Sequence, residues 1–199
     1  MKGRKRGESA EYALTEAQVK AVLAACQDID ERVTIGCQLF LGLRVGELAH
    51  MRADWITDDG NLKVPGFQSC NCAECVRMHG GTWKPKTKAG ARTLPIPKRL
   101  RRDLAEMFKI KPYGMEVSRV GLYYRTKVIL QRARVRHKGL ACNTAFPQAL
   151  RATCARMLAN GGMNPINLGY YTGQNSITVM EHLLQAKQGA IEQGHVIFG

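Results

Sequence analysis

The sequence predicts an α+β domain that is mostly helical, with one small antiparallel sheet and a metal-stapled loop. Three observations lead there. Apolar residues recur at helical spacing through most of the chain, as in Val19, Val22, Leu23 and Cys26, or Leu100, Leu104, Met107 and Phe108. Only two short segments, 62–65 and 92–96, read as paired strands. Three cysteines crowd into positions 70–75, in a stretch too poor in apolar residues to pack by itself. With 199 residues, 45% of them hydrophobic, and no internal repeat or strong boundary, the chain suits a single core.

Each element follows from local chemistry. Residues 1–12 form a basic arm, with Lys2, Arg4, Lys5 and Arg6 too charged to pack, and residues 13–199 form the domain. Thr15-Glu16-Ala17-Gln18 has the pattern of a reciprocal helix cap and opens the first helix. A second helix is expected over 30–43 and a short third over 45–52. Asp58-Asp59-Gly60-Asn61 makes a turn into the strand 62–65. The strand 92–96 pairs either with it or with a short strand near Trp83. Beyond Pro97 comes a helix ended by Lys111-Pro112-Tyr113-Gly114, and then one capped by Ser118 that reaches about residue 135. Helices follow over 148–159, closed by Gly161-Gly162, over 165–171, and over 177–187. Trp55, Tyr123, Tyr124, Tyr170 and Tyr171 are expected in the core.

Thirty Lys and Arg against sixteen Asp and Glu give a net charge of +14. Self-repulsion makes such a balance unfavourable for folding alone, so its usual role is to meet a polyanion, most often a phosphate backbone. No run of 18 apolar residues offers a membrane span. Lys84, Lys88 and Arg92 suggest a phosphate-contacting strip. Arg125, Lys127, Arg132, Arg134 and Arg136 crowd one helix and its exit without interleaved glutamates, which suggests contacts to a duplex.

Seven cysteines, an odd number, do not suit a secreted disulfide framework; they suit a reducing cytoplasm, that of a host if the source is viral. Cys70, Cys72, Cys75 and His79 offer three sulfurs and an imidazole, the donor set of a structural zinc site, within an insert expected over 67–82. Glu74 or a residue from elsewhere in the chain could replace His79 as the fourth ligand. Four protein ligands leave no open position, so no catalytic metal is expected.

Two further segments carry a resemblance. Gly42-Leu43-Arg44-Val45-Gly46-Glu47-Leu48 and Ala149-Leu150-Arg151-Ala152-Thr153 resemble the two arginine-bearing segments of the tyrosine recombinase (integrase) catalytic domain, with Glu47 as the acidic companion of the first arginine. The stretch from Trp83 to Pro95 is similar to that family's lysine-bearing β-hairpin, with Lys86 in the lysine's place and Lys88 second to it. Together with Ala49-His50-Met51-Arg52, the cysteine cluster and Phe146-Pro147, these segments resemble an archaeal-type branch of integrases of viruses and mobile elements, over about residues 14–188. The resemblance implies a mostly helical fold acting on double-stranded DNA in recombination or integration. It implies that Arg44 and Arg151 clamp a scissile phosphate and that Lys86 protonates the leaving oxygen.

The departures bear on activity. Gln148 stands where the family carries histidine, and Gln174 where it carries histidine or tryptophan; both can donate to phosphate, but neither shuttles protons near neutral pH. The family's spacing puts its tyrosine nucleophile at Leu183, beside His182, and no tyrosine occurs after Tyr171. A leucine cannot attack phosphorus, so a duplex-binding homologue deficient in cleavage is expected. An active recombinase with an unrecognised or partner-supplied nucleophile, and a zinc-stapled module for RNA or single-stranded DNA, are the alternatives. Self-association or a recombinase partner is left open.

Overall fold

A computed structural model describes residues 11–135 and 145–174. The expected helix over 177–187, Leu183, His182, Arg136 and most of the basic arm lie outside the described residues. The described elements run α1 (Glu16–Ala24), α2 (Ile29–Phe40), α3 (Val45–Leu48), β1 (Asn61–Val64), β2 (Gln68–Ser69), α4 (Ala73–His79), β3 (Thr82–Trp83), β4 (Arg92–Pro95), α5 (Lys98–Ile110), α6 (Arg119–Arg132), α7 (Pro147–Asn160) and α8 (Pro165–Thr172). The mostly helical α+β architecture is the one the sequence predicts, though its antiparallel strands form two two-stranded sheets rather than one.

Helix α2 is the axis of the fold. Asp28 caps it by accepting from the Glu31 amide at 2.7 Å. It packs against α5, α6 and α7. Val33 and Cys37 join one apolar cluster with Leu48, Trp55, Leu62, Leu94, Leu100 and Leu104. Ile35 and Leu39 join a second with Leu14, Val22, Ile129, Leu130, Ala149 and Leu150. Residues two apart on a helix point about 200° from each other, so one helix feeds both clusters. Gly36 permits the contact with α5: a Cβ there would stand 2.7 Å from Leu100 Cδ1.

The caps expected at Thr15 and Ser118 are present, with Gln18 N to Thr15 Oγ1 at 3.3 Å and Gly121 N to Ser118 Oγ at 3.1 Å. Strand β4 pairs antiparallel with β1, Leu62 opposite Leu94 and Val64 opposite Arg92. Trp83 belongs to a separate pair, β2 with β3, Gln68 opposite Trp83. Three expectations need correction. Helix α2 stops at Phe40 and α3 spans only four residues, because 41–44 turn to bring Arg44 to the α3 N-terminus. The insert is not a bare loop: Cys72 caps α4, its sulfur accepting from the Cys75 amide at 3.4 Å. Of the aromatic residues expected inside, Tyr124 and Tyr170 are more than half exposed, whereas Trp55 and Tyr171 are buried. No helix among the described residues is long and apolar enough to cross a membrane.

Candidate functional site

A cleft of about 740 Å³ opens between α3, α4, the β3 exit, α6 and the start of α7. Its lining includes Arg44, Glu47, Lys84, Lys86, Gln148 and Arg151. Residues more than a hundred positions apart in sequence therefore meet on one surface.

The floor is built around Glu47, whose side chain is 2% exposed. Its carboxylate accepts from Arg44 Nη1 at 2.8 Å and from Arg92 Nη2 at 3.0 Å, and it also accepts from the Arg44 amide at 3.0 Å, closing the first turn of α3. Burial alone would raise this carboxyl's pKa; the charges of Arg92, Arg151 and Arg44, with the Arg92 hydrogen bond, outweigh it and hold the pKa below the ordinary value. Arg151 responds in the opposite sense. Burial first, then the like charge of Arg44, push it down to about 9, which leaves it cationic at neutral pH.

The three guanidiniums are positioned by one short piece of backbone. Arg92 Nε donates to Tyr171 O at 2.9 Å, Arg151 Nη2 to Thr172 O, and Arg44 Nη2 to Gly173 O at 2.7 Å. These are consecutive carbonyls at the C-terminal end of α8, where a helix leaves acceptors unsatisfied and favours positive charge. Arg151 Nη1 donates also to Gly42 O. Gly173 ends α8 at φ 58°, and a Cβ there would lie 2.8 Å from Ala89 O, so both the turn and the close approach of the hairpin require glycine. These bonds use two of the five N–H donors on Arg44 and two on Arg151. The remaining donors, with three guanidiniums set against one carboxylate, make the floor of the cleft a receptor for an anion.

A second cluster adjoins the cleft. His50 Nε2, Cys70 Sγ, Cys72 Sγ and Cys75 Sγ all lie within 4.8 Å of one another and could hold a metal ion. His50 Nε2 is 3.3 Å from Cys75 Sγ and 3.6 Å from Cys72 Sγ. A tetrahedral zinc with ordinary bond lengths places its ligand atoms about 3.5–3.8 Å apart, close to the two His50–sulfur distances and within about 1 Å of the widest spacing in the cluster. His50 Nδ1 lies 2.7 Å from Gly46 O, a bond that places the proton on Nδ1 and presents Nε2 as the donor. Burial lowers the pKa of this imidazole, which favours the neutral form that ligates. Its ring stacks on Trp83 at 5.1 Å.

No family model matches the sequence, and no curated protein matches it. Solved structures do match. The Tn1549 transposon integrase, in complex with transposon right end DNA, superposes with a TM-score of 0.68 at 20% identity, over 91% of this chain and 65% of that one. The XerA recombinase gives 0.70 at 12% identity, over 94% and 64%. The integrase of mycobacterium phage Brujita gives 0.58 at 16%, over 95% and 59%. The fold is that of an integrase catalytic domain. The chain spans less than two thirds of each of these three proteins.

Within this integrase fold the expected residues are placed unequally. Arg44, Arg151, Lys86, Gln148 and Lys84 share the cleft; Lys88 and Gln174 are not among its lining residues. His79 is replaced in the metal cluster by His50. The segment after Cys72 coils into α4, which leaves His79 exposed on the cleft wall while His50 meets the sulfurs from the turn after α3. Arg92 is not a surface contact. It alternates with exposed Thr93 on β4, shares the inward face with Leu94, and is bonded from all three side-chain nitrogens to Glu47 and backbone carbonyls.

The basic helix α6 does have acidic partners, supplied by α2 rather than by its own sequence. Arg125 meets Asp30 at 3.5 Å and Arg132 meets Glu31 at 2.7 Å. Lys127 sits 6.0 Å from the Tyr123 ring centroid, and Arg134 lies at the α6 exit with φ 55°. Sequence reasoning missed Arg119 on the cleft wall, which pairs with Glu74 of α4 at 3.2 Å. The exposed Tyr124, one turn beyond Val120 on the same wall, was missed with it.

Proposed function

We propose that the protein binds double-stranded DNA through this cleft, gripping a backbone phosphate between Arg44 and Arg151, and that it does not itself cleave the strand. The observation that carries the reading is the floor of the cleft: three guanidiniums around a single carboxylate, two of them at the cleft surface with donors left over. A phosphodiester supplies the missing negative charge and accepts from two forked donors at once. Lys84, Lys86 and Arg119 extend the positive wall along the path a backbone would take. The neighbour solved with transposon DNA has the same fold, which supports duplex as the ligand.

The cleavage-deficient part rests on side-chain chemistry. With Leu183 at the position the family's spacing gives its nucleophile, and Gln148 and Gln174 at its imidazole positions, the chain keeps the family's phosphate-holding arginines and its lysine while a leucine and two amides replace its attacking and imidazole groups. His50, Cys70, Cys72 and Cys75 suit a structural zinc, which would add rigidity and no reactive water because all four positions are protein ligands.

Titrating duplex against single-stranded DNA over a salt series tests the binding. Duplex affinity should fall steeply with salt, and Arg44→Ala should weaken all sequences uniformly while lowering the salt slope by about 1. Equal binding of single strands would overturn duplex as the ligand. A nicked suicide substrate tests the chemistry: no covalent adduct is expected on a denaturing gel, and a stable adduct would overturn the inactive reading.

A further inference from the structure

The four potential metal ligands come from two separate pieces of chain. Cys70, Cys72 and Cys75 belong to the β2–α4–β3 insert, whereas His50 lies twenty residues earlier, in the turn that ends α3. That turn also carries the cleft arginine: Arg44 is the N-cap of α3 and His50 stands six positions beyond it. His50 Nδ1 is bonded to the carbonyl of Gly46, two residues after Arg44 on the same turn. A helix of four residues has no stability of its own, so neighbours must hold it. On one side, Glu47 and Arg92 do so. On the other stands the insert, whose α4 also contributes Glu74, Cys75 and His79 to the cleft wall and reaches α6 through the Glu74–Arg119 pair.

The direct contacts between insert and turn are few. Gln68 Nε2 donates to His50 O at 2.8 Å, and the Trp83 ring stacks on His50. The insert itself has two-residue strands and a seven-residue helix, too little to stay ordered by burial alone.

We propose that a soft divalent cation preferring tetrahedral geometry, zinc foremost, clamps the Arg44 turn to the insert through His50, Cys70, Cys72 and Cys75, so that metal occupancy sets the grip of the cleft on DNA phosphate. The link to DNA rests on the binding reading above; the clamp itself does not. Three thiolates and an imidazole around a divalent ion form a site of net charge −1, closed to water, suited to structure rather than catalysis. Its mechanical role follows from where it binds. With the ion in place, one end of α3 is fixed by the metal and the other by Glu47, and Arg44 is presented from a turn held at both ends.

The experiment uses the full chain, loaded with zinc and then stripped by a chelator. One zinc per chain is expected, and cobalt in its place should give the visible bands of a tetrahedral thiolate site. Stripping should weaken duplex binding tenfold or more, with recovery on adding zinc back, and should speed hydrogen exchange of the amides at 45–51 while α2 and α7 keep their protection. His50→Ala should lose the metal and reproduce the stripped state, and His79→Ala should keep it. His50→Cys, which restores four soft ligands, should recover metal binding and slow exchange, and so separates loss of the clamp from failure to fold. Stripped protein that exchanges no faster at 45–51, or His50→Ala that still holds one tight zinc, would overturn the clamp. If exchange responds to the metal while loaded and stripped protein bind duplex equally, the link to DNA is overturned. Loaded protein that ignores duplex would overturn the DNA-binding reading instead, and the exchange measurement would still decide the clamp.

Discussion

Around α2, Val33, Ile35, Cys37 and Leu39 are wholly buried; in the insert, Phe67, Val76 and Met78 are 76, 55 and 62% exposed, and Cys75 and Trp83 are the only buried apolar side chains between β2 and the end of β3. One region is held by area removed from water; the other anchors two side chains, Cys75 and Trp83, in the core and otherwise offers a few directional contacts and a set of potential metal donors. The difference teaches what each region can be asked to survive. A core with many apolar contacts loses stability by degrees as they are removed. A small insert with three thiols and two buried apolar side chains has few such contacts to lose, and the metal proposed above would order it as a unit. The Arg44–His50 turn lies between them, and the cleft inherits both dependences.

The sharpest way to break this contrast is at the polar centre that neither regime explains. Glu47→Ala leaves three guanidiniums buried or half-buried around an empty position, and urea denaturation should show a loss of up to about 5 kcal/mol, the range for removing one partner of a buried ion pair. The same carboxylate sets an acid limit. Because its pKa is lowered in the folded protein, its stabilisation is present above the unfolded value near 4.5 and is lost as pH falls through the folded value below that, so Glu47→Gln should show a flatter decline of stability in this acid range.

Removing the metal addresses the insert. A site saturated about a thousandfold above its Kd contributes about 4 kcal/mol, so chelation should lower Tm by roughly 10 °C by calorimetry. Leu39→Ala addresses the core, with an expected loss of about 3 kcal/mol and unchanged zinc affinity, read by competition with a chromogenic chelator. Equal loss of metal affinity in that variant would show that the two regions are one cooperative unit. Smallest of all, Arg132→Ala removes a solvent-screened pair and should lower the melting temperature least of these variants.

Much of this was legible from sequence because it rests on local rules. The caps at Thr15 and Ser118, the proline-opened α7 and the glycine at the α8 end all announce themselves within four residues. The pairing of Arg44 with Arg151 was legible through motif order. What escaped were side chains whose fate depends on distant partners. Arg125 and Arg132 look unneutralised along α6 because Asp30 and Glu31 lie about a hundred positions away on α2. His79 is the nearer imidazole in sequence, but α4 carries it to the cleft wall while the α3 turn brings His50 to the sulfurs. Arg92 could have been found: on a strand with inward Leu94, period-two alternation already turns it inward.

The end of α8 has a consequence for how occupancy of the cleft could be observed. Carbonyls 171, 172 and 173 are each held by a different guanidinium, and Arg44 and Arg151 among these also line the cleft. An anion held as proposed would take the spare donors of the same two cations that hold the helix terminus, and so polarise the bonds they already make. The carbonyl stretching frequencies of peptide groups 172 and 173, isotope-labelled at carbon, would serve as a built-in gauge of ligand charge, with 171 on buried Arg92 as the internal reference.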